Sequence, residues 1–577
     1  MQRTLIAESI WRAMMNSQCN KHFSLFLISQ VVLLALTSVP QTATAATLSI
    51  KSTSYPIPSG AFFVSPNGQS GNSGRSADSP WPVSQAIASA PSGATIVFRG
   101  GQYRNVRIPL NKRLTLQAYP NEQPWLKGST IVDGWVSEGN IWRKDNWNYS
   151  FQPNQHSRDI DPKFPMAGYR DMVFINGVAL KQVGNKTQVG PGTFYVDARN
   201  NKLYVGTNPG GKTVEATVQT EGIIAWNSSS AGSVVRGLGL AHYADQALKI
   251  GAGGVTVENT TMAWNGVDGV AVQAPDVKLR GNIISHNGRR GVGGSYAHRL
   301  VLENNVISNN NVENFSTSWG ASGVKLIWTN GAVMRGNTVA NNKSMGLWAD
   351  ASSSNITFVN NVVRNNIIGI YFEISHNAII ASNVAHNNST AGIMILNASA
   401  ARIYNNTLAR NRANLLVQET SRNNTKSNEI SKGITWITRN TIVKNNIFWN
   451  SSGTMFYAPG CAVKEPSSLM VPTTNNNAYY RTSTSQPANL IWGLSGNQCS
   501  QTFSSLASFR SATGLESNSL DVVNSSDDPF FVNASANDFR LKSGSPAIGR
   551  GEPLPNDIAN AIGVSAGSTV NLGALKY

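Results

Sequence analysis

The chain has 577 residues and a formal charge of +17, yet only 13% of it is charged and it carries 51 glycines. Together with abundant Asn, Ser and Thr, that composition suits turns closed by small polar side chains and argues against a helical protein. A length beyond the usual single core fits a solenoid, which grows by adding coils. The positive charge could draw acidic polysaccharide, nucleic acid or anionic lipid, or simply be a solvated surface, because no Lys/Arg run stands out.

In chain order, residues 1–45 read as an export signal. Arg3, Arg12 and Lys21 precede an apolar run from Phe23 to Val39, and Ala43-Thr44-Ala45 is a small-residue cleavage pattern. No later stretch is long and apolar enough to span a membrane, so an exported protein, periplasmic or extracellular, is expected. Cleavage would lower the charge to +15 by removing Arg3, Arg12, Lys21 and Glu8. It would also remove Cys19 and leave Cys461 and Cys499, for which an oxidising compartment favours a disulfide over two free thiols.

Residues 46–128 read as a cap and first coils. Ala61–Val64 is a strand, Trp81–Ala90 a short amphipathic helix suited to covering an open solenoid end, and Ala94–Phe98, Val106–Ile108 and Leu114–Ala118 are further strands. Between 129 and 219 the rhythm breaks. Trp135, Trp142 and Trp147 cluster, and hairpin patterns occur around Asn176-Gly177 and Asn200-Asn201, so an inserted β-rich subdomain is expected, either walling a groove or serving as padding.

The region 220–455 carries the periodic signal. Rows beginning at Gly323, Gly346, Gly369 and Gly392 repeat every 23 residues, and an Asn column at Asn337, Asn360, Asn383 and Asn406 keeps the same step. A fixed strand-like period of this length predicts a solenoid of coiled strands. Alternation turns Val324, Leu326, Leu347, Ala349, Ile370 and Phe372 inward, and Lys325, Trp348, Asp350, Tyr371 and Glu373 outward. The step widens before Gly323 by a loop, Asn311–Ser322, holding Glu313, Phe315 and Trp319; a second insertion, Glu419–Gly433, is polar and expected to be mobile. After residue 456 the period decays into irregular coils and a C-terminal cap.

Asp350 and Glu373 thus fall in one outward column on neighbouring coils. Like charges at a coil spacing of roughly 4.8 Å repel, so a purely structural stack does not favour them. A carboxyl pair about 5–5.5 Å apart suits a retaining glycosidase. Lys325 should keep Asp350 ionised, and the charge on Asp350 should raise the pKa of Glu373. Those assignments make Asp350 the nucleophile and Glu373 the acid/base. Trp348, Tyr371, Trp319 and His376 are the candidate substrate-binding residues. The competing possibility is a solvated acidic pair among surface aromatics.

Two resemblances bear on these residues. The Ser65-Pro66-Asn67-Gly68 turn, the capping helix and Gly100-Gly101-Gln102-Tyr103 resemble the opening of exported right-handed parallel β-helix proteins of the pectin-lyase-like kind, which implies an all-β solenoid of that hand. Gly346-Leu-Trp-Ala-Asp350, with Glu373-Ile-Ser one period later, resembles β-helix glycoside hydrolases of the β-xylosidase type. That resemblance implies an Asp nucleophile and a Glu acid/base on successive coils, a polysaccharide or oligosaccharide substrate, and no cofactor. The alternatives are a polysaccharide lyase or uronate epimerase using Lys325 or Lys249 as base, with Ca²⁺ held near Asp245 and Asp268, or a non-catalytic glycan-binding protein. No P-loop, dinucleotide fingerprint, zinc spacing or nucleic-acid motif is convincing; a monomer is expected.

Overall fold

The computed structural model describes residues 49–151, 153, 157–483, 485–486, 488–524 and 527–575. The expected export signal and Cys19 lie outside them. Among the described residues three long sheets, each of 13 strands, run the length of the molecule. Sheet 1 begins with Phe62–Val64, sheet 2 with Gly101–Arg104 and sheet 3 with Ile108–Pro109. The chain visits the sheets in turn, and each strand pairs in parallel with the strand one coil later, for example Val324 with Leu347 and Leu347 with Ile370. This is a parallel β-helix. Only the last pair of sheet 3, Leu490–Trp492 with Gln501–Phe503, is antiparallel.

Alternation in the strands of sheet 3 fills the interior. Val270, Val292, Val324, Leu347, Ile370, Ile393 and Leu415 form one column with no exposed surface. Each such aliphatic side chain contributes about 1.5–3 kcal/mol of burial free energy. The glycine rows have a steric cause. A Cβ at Gly323, Gly346 or Gly369 would stand 2.8, 2.6 or 2.5 Å from the carbonyl oxygen of the next glycine in the column, and about as close to a buried Asn amide.

The solenoid holds two ladders of buried Asn amides; the Asn spacing anticipated the first, and the amides beside the glycines belong to the second. In the first, Asn282, Asn305, Asn337, Asn361, Asn383, Asn406 and Asn446 each donate Nδ2 to the Oδ1 of the next, ending at Asn477, at 2.9–3.1 Å. The second runs through Asn265, Asn287, Asn310, Asn342, Asn366, Asn388 and Asn411. Asn360, expected in the first ladder, instead takes the left-handed corner position at φ 56°. Its neighbour Asn361 occupies the ladder because the coil between 337 and 361 holds one residue more than the period.

The helix Val83–Ser89 places Ala86 in the core at the N-terminal end. Residues 129–217 leave the solenoid as two small sheets, with antiparallel hairpins at Ile175/Val178 and at Phe194–Asp197 with Lys202–Val205. The coil then resumes in register, Ile223 pairing with Ile108. Near the C-terminus the helix Asn556–Ile562 packs on Val359, Ala381 and Tyr404 of sheet 1. Cys461 and Cys499 form the expected disulfide.

Because a side chain at the glycine column meets backbone, Gly369→Ala should destabilise the protein by about 1–3 kcal/mol through overpacking. Thermal or denaturant unfolding would measure this. A substitution of equal size at the exposed turn residue Gly514, with open space around it but φ 71°, should cost only its backbone strain.

Candidate active site

The outward columns of sheet 3 bring the predicted residues together. Lys325, Trp348, Tyr371 and Met394 are successive strand partners; alongside them Ile327 pairs with Asp350, and Glu373 with Leu396. Register through Ala349 and Phe372 sets Asp350 and Glu373 on adjacent coils of one face. Lys325 Nζ lies 2.8 Å from Asp350 Oδ2, donates to the Trp319 carbonyl at 2.5 Å, and stands 3.3 Å from the centroid of the Trp348 ring. Asp350 Oδ1 accepts the backbone N–H of Ala351 at 2.6 Å. Trp348 and Tyr371 stack with centroids 5.2 Å apart and planes inclined by 21°.

This face is not open to solvent. Asp350 and Glu373 retain 9% and 8% of their surface, and Trp348 and Tyr371 3% and 6%. Two insertions cover it. The first, 311–321, buries Phe315 against Ala167, so the inserted subdomain buttresses this loop; Asp159 pairs with Arg289 at 2.7 Å, and Arg158 lies over the Trp319 ring. That support fixes Trp319, whose carbonyl holds Lys325.

The second insertion, expected to be mobile, is tied down. Asn397, at the corner one residue after Leu396, donates to the carbonyls of Thr420 and Trp436 at 2.9 Å and accepts from the Thr420 hydroxyl at 2.6 Å. Trp436 Nε1 donates to the Ser352 hydroxyl at 3.1 Å, and Ser352 bonds Glu429. Arg422 is thereby delivered to the site, its guanidinium 2.8 Å from Glu373 Oε1. Polarity in this segment reflects bonding to the coil rather than solvation.

The two carboxylates therefore have different surroundings. Asp350 faces Lys325. Burial raises the pKa of Glu373, the neighbouring charge of Asp350 raises it further, and Arg422 opposes both; the net direction is upward. Burial thus leads the shift that the sequence assigned to Asp350 alone. Tyr371 is likewise pushed well above its ordinary value, by burial and then by Glu373. The indole N–H of Trp348 is buried without a hydrogen-bond partner, a donor that a ligand oxygen could satisfy. Backbone strain gathers here too, for Ala351 and the β-branched Ile374 follow the two carboxylates at φ 47° and 34°.

The remaining candidates lie elsewhere or do other work. His376 sits beyond the corner, its Nδ1 2.8 Å from Ser399 Oγ and its ring under Gly433, where it supports the covering segment. Lys249 pairs with Glu221 at 3.3 Å. Asp245 faces Arg170 at 3.4 Å, and Asp268 is clamped by Arg289 and Arg290, which against the upward push of burial bring it down to about 2. Donors committed to guanidinium groups do not suit Ca²⁺, and among the described residues no cluster of acidic, His or Cys side chains could hold a metal ion. Arg422, Asn397 and Trp436 were not anticipated; Arg422 and Trp436 lie in or just after an insertion with no repeat to place them, and Asn397 ends a repeat row but bonds to that insertion.

Comparison with known proteins decides the architecture. Residues 247–408 match the family described as right handed beta helix region. The solved structure of XylC in complex with xylose superposes with a TM-score of 0.60 at 14% identity, covering 89% of this chain and 98% of that one. The chain is a right-handed parallel β-helix. Pectate lyase Pel9A gives a TM-score of 0.45 at 14% identity over 92% of this chain and 98% of its own. The A-module of the Azotobacter vinelandii mannuronan C-5 epimerase AlgE4 gives 0.39 at 16% identity over 64% and 82%. No curated protein sequence matches the chain.

Since Arg422 is a cation against Glu373, Arg422→Met should move deprotonation of Glu373 to higher pH. Infrared difference titration of the carboxyl band, assigned by its loss in Glu373→Gln, would read the shift; an unchanged or lowered pKa would contradict the pairing.

Proposed function

We propose that this right-handed β-helix is a carbohydrate-active enzyme, a retaining glycoside hydrolase in which Asp350 is the nucleophile and Glu373 the acid/base. The observation that carries the proposal is the asymmetry of the stacked pair: Asp350 is ion-paired with Lys325 at 2.8 Å, whereas burial and the Asp350 charge favour a protonated Glu373. A nucleophile has to be ionised and a general acid has to hold its proton, so these surroundings suit the two roles in that order. A coil spacing of roughly 4.8 Å is of the order of the 5–5.5 Å carboxyl separation that a covalent glycosyl intermediate requires.

In the first step Glu373 gives its proton to the glycosidic oxygen while Asp350 attacks the anomeric carbon. In the second Glu373 takes a proton from water, which displaces Asp350. Lys325 positions Asp350 through the 2.8 Å ion pair, and Trp348 brings an unpaired indole N–H that a sugar oxygen could satisfy. XylC, which shares the fold, was solved with xylose, and a sugar ligand at this face is in keeping with that. Action outside the cytoplasm accords with the Cys461–Cys499 disulfide.

The lyase alternative is less well supported by the geometry. A base must present a lone pair, but the Lys325 ammonium is engaged with a carboxylate, a carbonyl and a ring face. Asp350→Ala should lower turnover about a thousandfold or more, with azide restoring activity and inverting the product configuration. Glu373→Ala should harm substrates with poor leaving groups most, because activated aryl glycosides need little protonation. Reducing-sugar release without a rise in ultraviolet absorbance separates hydrolysis from a lyase, which also frees a reducing end but leaves an unsaturated, absorbing product. Near-normal activity of both carboxylate variants would refute the assignment.

A further inference from the structure

At each corner of the solenoid one residue takes the left-handed conformation, and Asn or Gly normally fills it. The corner preceding the first Asn ladder reads Asn304, Gly336, Asn360, Ser382, Asn405, Asn445 and Asn476; that preceding the second reads Trp264, His286, Asn309, Asn341, Asn365, Asn387 and Arg410, with Asn in the central coils. The corner that follows sheet 3 carries neither Asn nor Gly over four consecutive coils. It reads Tyr296, Trp328, Ala351 and Ile374 at φ 53°, 49°, 47° and 34°, then returns to Asn397. Bulky side chains in this conformation are costly.

The two aromatic members are also exposed. Tyr296 keeps 56% of its surface and Trp328 36%, and their rings stack with centroids 5.3 Å apart and planes inclined by 21°. They adjoin the carboxylate pair directly: Trp328 donates its backbone N–H to the carbonyl of Ala351, the residue after Asp350, and Tyr296 donates to Ile327, the strand partner of Asp350. Along the axis the platform advances one ring per coil, roughly 4.8 Å, a step of the order of one pyranose. It leads away from Asp350 on the side opposite Glu373.

We infer that Tyr296 and Trp328 form a sugar-binding subsite, stacking against the pyranose ring next to the one that reacts at Asp350 and Glu373. The substrate is accordingly an oligosaccharide extending along the helix axis. Ring C–H faces and a flat aromatic pair are complementary, and continuity with the carboxylates sets the occupant apart from a protein partner. This inference rests on the glycoside hydrolase reading.

The test compares wild type, Tyr296→Ala, Trp328→Ala and the conservative Trp328→Phe on glycosyl fluorides and on oligosaccharides of two to five units of the same sugar, across xylose, glucose, arabinose and galactose series. Fluoride is too small a leaving group to reach the platform. The ratio of kcat/KM for tetrasaccharide to that for the monosaccharyl fluoride should fall about tenfold in each alanine variant, mainly through KM, and largely recover in Trp328→Phe. Equal losses on both substrate types, or an unchanged ratio, would overturn the subsite. If wild type hydrolyses no member of the panel, the hydrolase reading fails, and calorimetric binding of the tetrasaccharides decides the platform separately. Binding by wild type that Trp328→Ala weakens about tenfold would support it; absence of binding to wild type would overturn it.

Discussion

Everything at the candidate site depends on how closely successive coils approach at the glycine column. With hydrogen in place of a side chain, each of these residues lets the next carbonyl and the Asn ladder lie within 3.1 Å of where a Cβ would stand. That contact leaves one register available to the neighbouring strand, because a slip by one residue would turn the hydrophobic column outward. Once the register is set, Lys325, Trp348 and Tyr371 must stack, and so must Asp350 and Glu373. The chemistry of the face is thus a consequence of backbone geometry on its buried side.

The charges are arranged in two independent ways. Lys325 reaches Asp350 from the preceding coil and is held by a loop that the inserted subdomain supports. Arg422 reaches Glu373 from a separate insertion hung on Asn397. Burial makes both pairs stronger than exposed ion pairs, and it also makes an unpaired carboxylate costly. The site tolerates two adjacent acids because each has its own cation and one of them tends to keep its proton.

Much of this was legible in the sequence, and the boundary has physical causes. The period of 23 residues located the inward columns, the outward pair and Lys325, because strand alternation and register follow from the repeat alone. Asn360 was misplaced by one residue, since a coil with an extra corner residue keeps the average period while shifting the ladder to Asn361. Arg422 was beyond reach, for its position depends on long-range bonds from Asn397 that have no spacing signature. The aromatic corner was visible as letters, but the exposure and stacking of Tyr296 and Trp328 beside the carboxylates were not.

The Asn ladders carry one more implication. Most rungs join residues 22–24 apart, but Asn305 reaches Asn337 and Asn310 reaches Asn342 across 32 residues, Asn406 reaches Asn446 across 40 and Asn446 reaches Asn477 across 31, all at 2.9–3.1 Å. The spans 305–337 and 406–446 contain the two covering insertions. An amide rung records only that the chain has come round once, whatever length it took. Loops over this face can therefore be lengthened, shortened or exchanged without disturbing the scaffold beneath them, so a lineage could change its diet by editing the lids while inheriting the hearth.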